Sequence, residues 1–157
     1  MATASDTNRE HHAPRSIVQA CWHDSYSIGV PEVDEQHRGL LGIVRHLRTV
    51  QINTAGLSNI WPALADLNRY ADLHFATEER LMVRYRLDAE WLAEHVAEHR
   101  GYRQRVHDFI ERHRNGERGV VDEVVDFLEY WWMHHLLGPD RELGSLLRQA
   151  QRTGLTV

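Results

Sequence analysis

Lysine is absent from this 157-residue chain, and cysteine occurs once, at Cys21. A single cysteine excludes an internal disulfide, so we expect a reducing, cytoplasmic environment. All 18 cationic residues are therefore arginines, spread along the chain, and the net charge is −5. This distribution lacks the clustered basic face of a nucleic-acid-binding surface, and it argues against a nucleic-acid partner.

Long apolar runs are also missing. No stretch approaches the roughly 20 apolar residues that span a bilayer, and the first residues do not have the charged, apolar and small-residue pattern of a signal sequence. We therefore expect no membrane insertion. The length suits one domain with a single core. We predict a loosely packed tail over 1–15 and one domain over 16–157.

Apolar residues recur with the 3.6-residue period of helices from Val33 onward, and no stretch alternates over the length of a strand. Ser58 and Asp88 are predicted N-caps, and Asn115-Gly116 is a predicted helix end. The pattern predicts an arm at 16–31, a loop at 53–58, and helices at 33–52, 58–86, 88–115, 120–137 and 140–149. Four long helices joined by short loops predict an all-α, up-down-up-down four-helix bundle with an N-terminal arm and a short C-terminal helix.

Histidine is abundant, with 12 residues, and several of them lie four positions from another possible metal ligand. Residues four apart are neighbours on one face of a helix, about 6 Å apart at Cβ, so such a pair can reach one metal ion or two adjacent ions. Chance alone gives roughly one pair of each kind in this composition, so a single pair carries little weight. We interpret two of them, His107/Glu111 and His113/Glu117, as solvent-exposed surface pairs.

A stronger signal is that candidate ligands occur on all four long helices. They are His37 on the first, His74 and Glu78 on the second, His95 and His99 on the third, and His135 on the fourth, followed by Asp140. Bulky apolar neighbours accompany them, such as Phe75 beside His74. We therefore predict that these side chains converge inside the bundle.

The series of motifs resembles the hemerythrin family, in particular the single-domain bacterial hemerythrins. The family pattern is present as Asp34-Glu35-Gln36-His37, His74-Phe75-Ala76-Thr77-Glu78-Glu79, His95 to His99, and Trp131 to His135 to Asp140. The match extends over about residues 22–142 and includes Trp22 and Ile28-Gly29 of the arm. Each motif is weak by itself, but the combination is specific.

The resemblance implies two iron ions. By analogy with the family, His95, His99 and His135 bind one ion, His37 and His74 bind the other, and Glu78 and Asp140 bridge the two. With a shared hydroxide, this set leaves one coordination position empty on the ion with two histidines, and dioxygen would bind there. Imidazole and carboxylate also suit zinc or copper, so the choice of iron depends on the family.

Three features of the pattern leave alternatives open. Trp132 stands where the family commonly has a leucine lining the oxygen pocket, so it lines that pocket with Leu136 or serves only in core packing. Pro139 interrupts the fourth helix, and we predict a local bulge or unwinding there that turns Asp140 toward the metals; the alternative is that Pro139 simply ends the helix. We expect Glu79 to point to solvent or to an arginine, with a bond to a ligand histidine as the alternative.

The family implies reversible dioxygen binding for storage, transport or delivery, without catalysis, with dioxygen and an oxygen-consuming enzyme as partners. One alternative is a di-iron oxygen sensor. A second is an oxidoreductase that processes peroxide or nitric oxide, which needs a proton donor, and Tyr26, Tyr70 and Tyr102 are the candidates. A third is a metal-storage or metal-sensing bundle that holds zinc.

Overall fold

A computed structural model describes residues 22–54 and 61–154 of the chain, and the side chains of 22–49 and 61–154. The described elements are a short 3-10 turn and five helices. They are the turn at Asp24–Tyr26, α1 at Pro31–Thr54, α2 at Trp61–Arg84, α3 at Ala89–Arg114, α4 at Val120–Leu137 and α5 at Pro139–Arg152. The described part of the chain contains no strand, which confirms the predicted all-α class. The predicted tail, Cys21 and the Ser58 cap lie outside the described residues.

Cross-helix contacts establish that neighbouring helices are antiparallel, because the residue numbers in contact fall along one helix as they rise along the other. Arg80 of α2 pairs with Glu32 of α1, and Tyr70 meets Gly39 farther along. The same relation joins α2 to α3, as the pairs Glu78–His95 and Asp72–Arg103 show, and α3 to α4, as the pairs Glu98–His135 and Arg112–Glu123 show. Helix α1 meets α4 at Arg48–Glu129, and nearer its start it meets the first turn of α5, just beyond the end of α4, at His37–Asp140. The bundle is therefore up-down-up-down, as predicted.

Helix ends follow local chemistry closely. Asp88 caps α3, because its side chain accepts hydrogen bonds from the N–H groups of Glu90 and Trp91, both at 3.0 Å. Beyond the end of α3, Gly116 has a φ of +77°, the left-handed conformation that glycine favours. The predicted loop at 53–58 is wrong for its first two residues, since α1 continues through Thr54.

The junction between α4 and α5 is set by Gly138 and Pro139. Helix α4 ends at Leu137, Gly138 has the non-helical angles φ −106° and ψ −99°, and Pro139 begins α5, where its missing N–H is not needed. This one-residue unwinding places Asp140 in the first turn of α5, fully buried, with Oδ1 3.1 Å from Nε2 of His135. The predicted unwinding is therefore confirmed, and Pro139 starts a new helix as well as following the end of the old one.

Two apolar clusters fill the bundle, one on each side of the buried polar residues. The larger includes Leu40, Phe75 and Leu128, and the smaller includes Val33 and Met82 at the end of the bundle that the arm covers. Along α1, for example, Val33 of the smaller cluster precedes His37, and Leu40 of the larger cluster follows it. The polar residues are therefore enclosed on both sides along the bundle axis.

The arm is fixed to α1 by Asp34. Its carboxylate accepts hydrogen bonds from the hydroxyl of Ser27 at 2.6 Å and from the backbone N–H of Ile28 at 2.8 Å. Ile28 then packs in the smaller cluster, with 2% of its surface exposed. Among the described helices, none is long and apolar enough to cross a membrane.

Candidate metal centre

All seven predicted ligand residues lie together in the interior of the bundle. Each is at most 3% exposed, although they come from five different helices. Helical spacing brings His74 next to Glu78 on α2 and His95 next to His99 on α3, as expected for residues four apart. The structure thus brings together every residue of the predicted set, and their role in binding metal remains a prediction.

The possible ligand atoms fall into two groups that share Glu78. One group is Glu78, His95, His99 and His135, and the other is His37, His74, Glu78 and Asp140; within each group the ligand atoms lie within 4.8 Å of one another. Asp140 also spans the groups, with Oδ2 3.1 Å from Nε2 of His37 and Oδ1 3.6 Å from Nε2 of His95. Both carboxylates therefore lie between a cluster of three histidines and a cluster of two.

Hydrogen bonds on the outer side of the cluster orient three of the imidazoles. Nδ1 of His74 donates to Gln36 Oε1 at 3.2 Å, Nδ1 of His99 donates to Glu79 Oε1 at 3.0 Å, and Nδ1 of His135 donates to Glu98 Oε2 at 2.8 Å. Donation from Nδ1 fixes the tautomer and leaves the Nε2 lone pair directed at the centre.

Two of these contacts were not predicted, and one resolves an open alternative. Glu79 bonds to His99, so the prediction that it points to solvent or an arginine is wrong and the alternative holds. Gln36 is part of the first motif, but nothing in the sequence indicated that its Nε2 also donates a hydrogen bond to the hydroxyl of Thr77 on α2 at 3.0 Å. Glu98 gave no signal, because its role depends on how α3 packs against α4.

The centre lacks enough hydrogen-bond donors for its acceptors. Nε2 of His37 and of His74, Oε1 of Glu78 and both carboxylate oxygens of Asp140 are buried without a hydrogen-bond partner. Such groups are costly to bury unless something else satisfies them. Nε2 of His99 and Nε2 of His135 also lie 3.2 Å apart, close to the ~3 Å between adjacent ligands that metal–nitrogen bonds of about 2.1 Å produce. These unpartnered nitrogen and oxygen atoms are therefore suited to bind metal cations.

Burial also prepares the histidines for metal binding. It lowers the pKa of His74 to about 3, of His95 to about 4 and of His99 to about 2, and neighbouring imidazoles lower the pKa of His74 and His99 further. These imidazoles are neutral at pH 7, which is the form that binds metal. Burial, followed by the charge of Asp140, raises the pKa of Glu78 well above its usual value. A bound cation would reverse that effect and favour the carboxylate.

Of the two predicted oxygen-pocket residues, Trp132 lies beside the cluster of two histidines, and both are buried. The ring of Trp132 is 4% exposed and its centroid lies 5.6 Å from that of His74, and Leu136 on the same helix is 5% exposed. Trp132 also belongs to the larger apolar cluster, so the position agrees with either interpretation of this residue. Its indole N–H is buried without a hydrogen-bond partner.

The tyrosines that an enzyme would use as proton donors make no described contact with the seven clustered residues. Tyr26 packs against Trp22, the ring of Tyr70 lies against Gly39, and Tyr102 packs against Phe75 and Trp131. Burial also raises the pKa of Tyr102, which makes it a poorer acid. The histidines outside the predicted ligand set that the structure describes are exposed, as predicted; they are His23, His46, His107, His113 and His134.

A helical bundle with a buried cluster of five imidazoles and two carboxylates defines a metal-binding bundle protein. Comparison with known proteins then identifies the family. The model of the hemerythrin HHE cation binding domain matches residues 28–147, which include every predicted ligand. The chain belongs to the hemerythrin family, whose domain binds non-heme iron.

Individual relatives are distant but cover most of the chain. The bacteriohemerythrin of Stenotrophomonas maltophilia is 30% identical over 122 residues, which are 76% of each chain. The bacteriohemerythrin of Clostridium acetobutylicum is 26% identical over 125 residues, which are 77% of this chain and 95% of the relative. The myohemerythrin of Riftia pachyptila is 26% identical over 120 residues, which are 76% of this chain and 86% of the relative. No solved structure gave a match.

Proposed function

We propose that this protein binds dioxygen reversibly at a centre of two iron ions and serves in oxygen storage, transport or delivery. The observation that carries the proposal is that the buried ligand residues divide into a group of three histidines and a group of two, with Glu78 and Asp140 between them. His95, His99 and His135 are assigned to one iron, and His37 and His74 to the other. The two irons would supply the electrons that reversible dioxygen binding needs.

The chain's own residues keep the site suited to binding instead of turnover. Phe75 stacks on His99 with ring centroids 4.0 Å apart, and Trp131 stacks on His135 at 4.3 Å, so apolar rings cover the imidazoles. Trp132 and Leu136 are assigned to the oxygen pocket beside His74, where they exclude water. Water exclusion matters because proton leakage into such a site promotes loss of its reduced state.

The position of the tyrosines favours binding over catalysis. Cleaving an oxygen–oxygen bond requires a proton donor within hydrogen-bond reach of the reacting atoms. The described contacts of Tyr26 and Tyr70 are with other groups than the seven clustered residues. The ring centroid of Tyr102 lies 6.2 Å from that of Trp132, but burial raises the pKa of Tyr102 and makes it a poor proton donor. A carrier is therefore a better fit than an oxidoreductase, and the sequence similarity to bacteriohemerythrins and a myohemerythrin supports the same choice.

Anaerobic purification with elemental analysis, followed by repeated oxygenation and deoxygenation under a spectrometer, tests the proposal. We expect two irons per chain and an absorption band that appears with oxygen and disappears on its removal. Zinc in place of iron would support the storage or sensing alternative. Failure to regain the deoxygenated spectrum would support the enzyme alternative.

A ligand variant tests the assignment of residues. His74→Ala removes a fully buried donor from the two-histidine group, so we expect it to lose iron from that position and to lose oxygen binding. His46→Ala is the matched control, because His46 is an exposed residue of α1. Reversible oxygen binding by His74→Ala at the level of this control would refute the assignment.

A further inference from the structure

A small surface cleft opens next to the three-histidine group. Its volume is about 100 Å³, and it lies between α3 and the start of α5, where it is lined by Trp91, Glu94, His95, Glu98, Pro139 and Glu142. Three other surface clefts in the described part of the chain include none of the seven clustered residues in their linings. This cleft therefore connects solvent to a predicted metal ligand.

The charged residues in the lining are all acidic. Glu94, Glu98 and Glu142 are exposed, and the lining contains no arginine. Within the described residues, Glu94 and Glu142 form no ion pair or side-chain hydrogen bond, whereas Glu98 accepts the bond from His135. Two carboxylates at the opening are thus free to meet a cation, and the third is joined directly to a residue of the centre.

The inner side of the cleft is closed by the ring of His95. This residue is 3% exposed, and its Nδ1 is buried with no hydrogen-bond partner. On the other side of the ring, Nε2 lies 3.4 Å from Glu78 Oε2 and 3.6 Å from Asp140 Oδ1. A single imidazole therefore separates the cleft from the two carboxylates of the centre. With the ring proton on Nε2, the unpartnered Nδ1 has a free lone pair that can bind a cation entering the cleft.

We propose that this cleft is the route by which ferrous iron reaches the buried centre, with Glu94 and Glu142 as its first docking site and His95 as the group that passes it inward. The proposal depends on the proposed function, because it assumes that the centre binds iron. A centre whose ligands are at most 3% exposed needs such a route. Clefts lined by charges of one sign raise the local concentration of the opposite ion and its association rate by 10-fold to 1,000-fold.

The test follows anaerobic uptake of ferrous iron alone by the metal-free protein. Trp131 stacks on His135 and Trp132 lies beside His74, so quenching of their fluorescence in stopped flow reports arrival at the centre. Trp91→Phe is introduced into every protein compared, because Trp91 lines the cleft and would respond to iron there. The variant is Glu94→Gln combined with Glu142→Gln. Glu98 is left unchanged, because it also orients His135.

The control removes two negative charges elsewhere. Asp66→Asn combined with Asp108→Asn leaves the same net charge as the cleft variant. Asp66 precedes Glu78 by 12 residues and Asp108 follows Glu98 by 10, so helix rise places them about 15–18 Å along their helices from the centre and the cleft. That separation exceeds the screening length of about 8 Å at physiological ionic strength.

We expect the cleft variant to load iron about 10-fold more slowly than the wild type and the control, with an unchanged final iron content. A change in the route alters neither the metal-free nor the iron-bound state, so the equilibrium between them is unchanged. Release of iron to a chelator should therefore slow by the same factor as loading. Raising the ionic strength should slow loading of the wild type more than loading of the variant. Equal loading rates in the cleft variant and the control would overturn the proposed route, as would faster release, which indicates a weakened centre. A wild-type protein that takes up no iron would instead refute the proposed function.

Discussion

Gly144 of α5 controls how closely this helix approaches the arm. A Cβ added to Gly144 would lie 2.2 Å from the backbone oxygen of Ile28 and 2.8 Å from its Cβ. Ile28 cannot move away easily, because its N–H is bonded to Asp34 and its carbonyl oxygen accepts from Arg148. In Gly144→Ala, α5 must therefore move by about 1 Å or more to restore normal contact distances.

The expected cost follows from two opposing effects. Alanine stabilises a helix by about 0.5–1 kcal/mol relative to glycine, whereas overpacking a tight contact costs about 1–3 kcal/mol. Gly42→Ala is the matched control, because Gly42 lies in α1 and a Cβ there has no neighbour within 4 Å. We expect Gly42→Ala to gain stability and Gly144→Ala to lose it. The gain from alanine is common to both variants, so their free energies of unfolding should differ by the overpacking cost alone, about 1–3 kcal/mol.

Denaturant unfolding of the metal-free proteins measures this difference, and iron content measures its consequence for the site. Asp140 precedes Gly144 by one helical turn, so a shift of α5 displaces a predicted bridging ligand. We expect Gly144→Ala to retain less iron than Gly42→Ala after exposure to a chelator. If the two variants have equal stability and equal iron retention, the arm does not position α5 and the reasoning fails.

Two further predictions concern the pocket and the effect of pH. Trp132→Leu opens space beside His74, so oxygen association and autoxidation should both become faster in stopped-flow measurements; a variant that is less stable but oxidises at the wild-type rate would show that Trp132 serves only in packing. For the metal-free protein, the free energy of unfolding should decrease as the pH falls from about 6.5 to 4. The pKa values of His74, His95 and His99 are lowered in the folded protein, so over this range the unfolded chain binds protons that the folded protein does not. Glu78 opposes this, since its raised pKa favours the folded state at low pH, but three histidines outweigh one glutamate over this range. Stability that is constant across the range in an equilibrium denaturation series would contradict the prediction.

Much of the site could be read from the sequence, because its strongest features are local. The spacing of His74 and Glu78 fixes their common face on any helix, and Asp88 and Gly116 mark helix ends by chemistry that involves only nearby backbone groups. The prediction that was wrong for Glu79 had a different origin. Whether that carboxylate meets solvent or His99 depends on how α2 and α3 are rotated against each other, and the periodicity of one helix does not contain that rotation.

The sequence by itself determined which residue types face the interior and at what spacing, since helix geometry repeats identically wherever a helix forms. Only the tertiary structure decided the position of Asp140, because one non-helical residue, Gly138, sets the direction of α5. It also decided the link between His135 and Glu98, and the cleft that ends at His95. Such contacts join residues that are distant in sequence, and they form only where the packing of whole helices brings the side chains together.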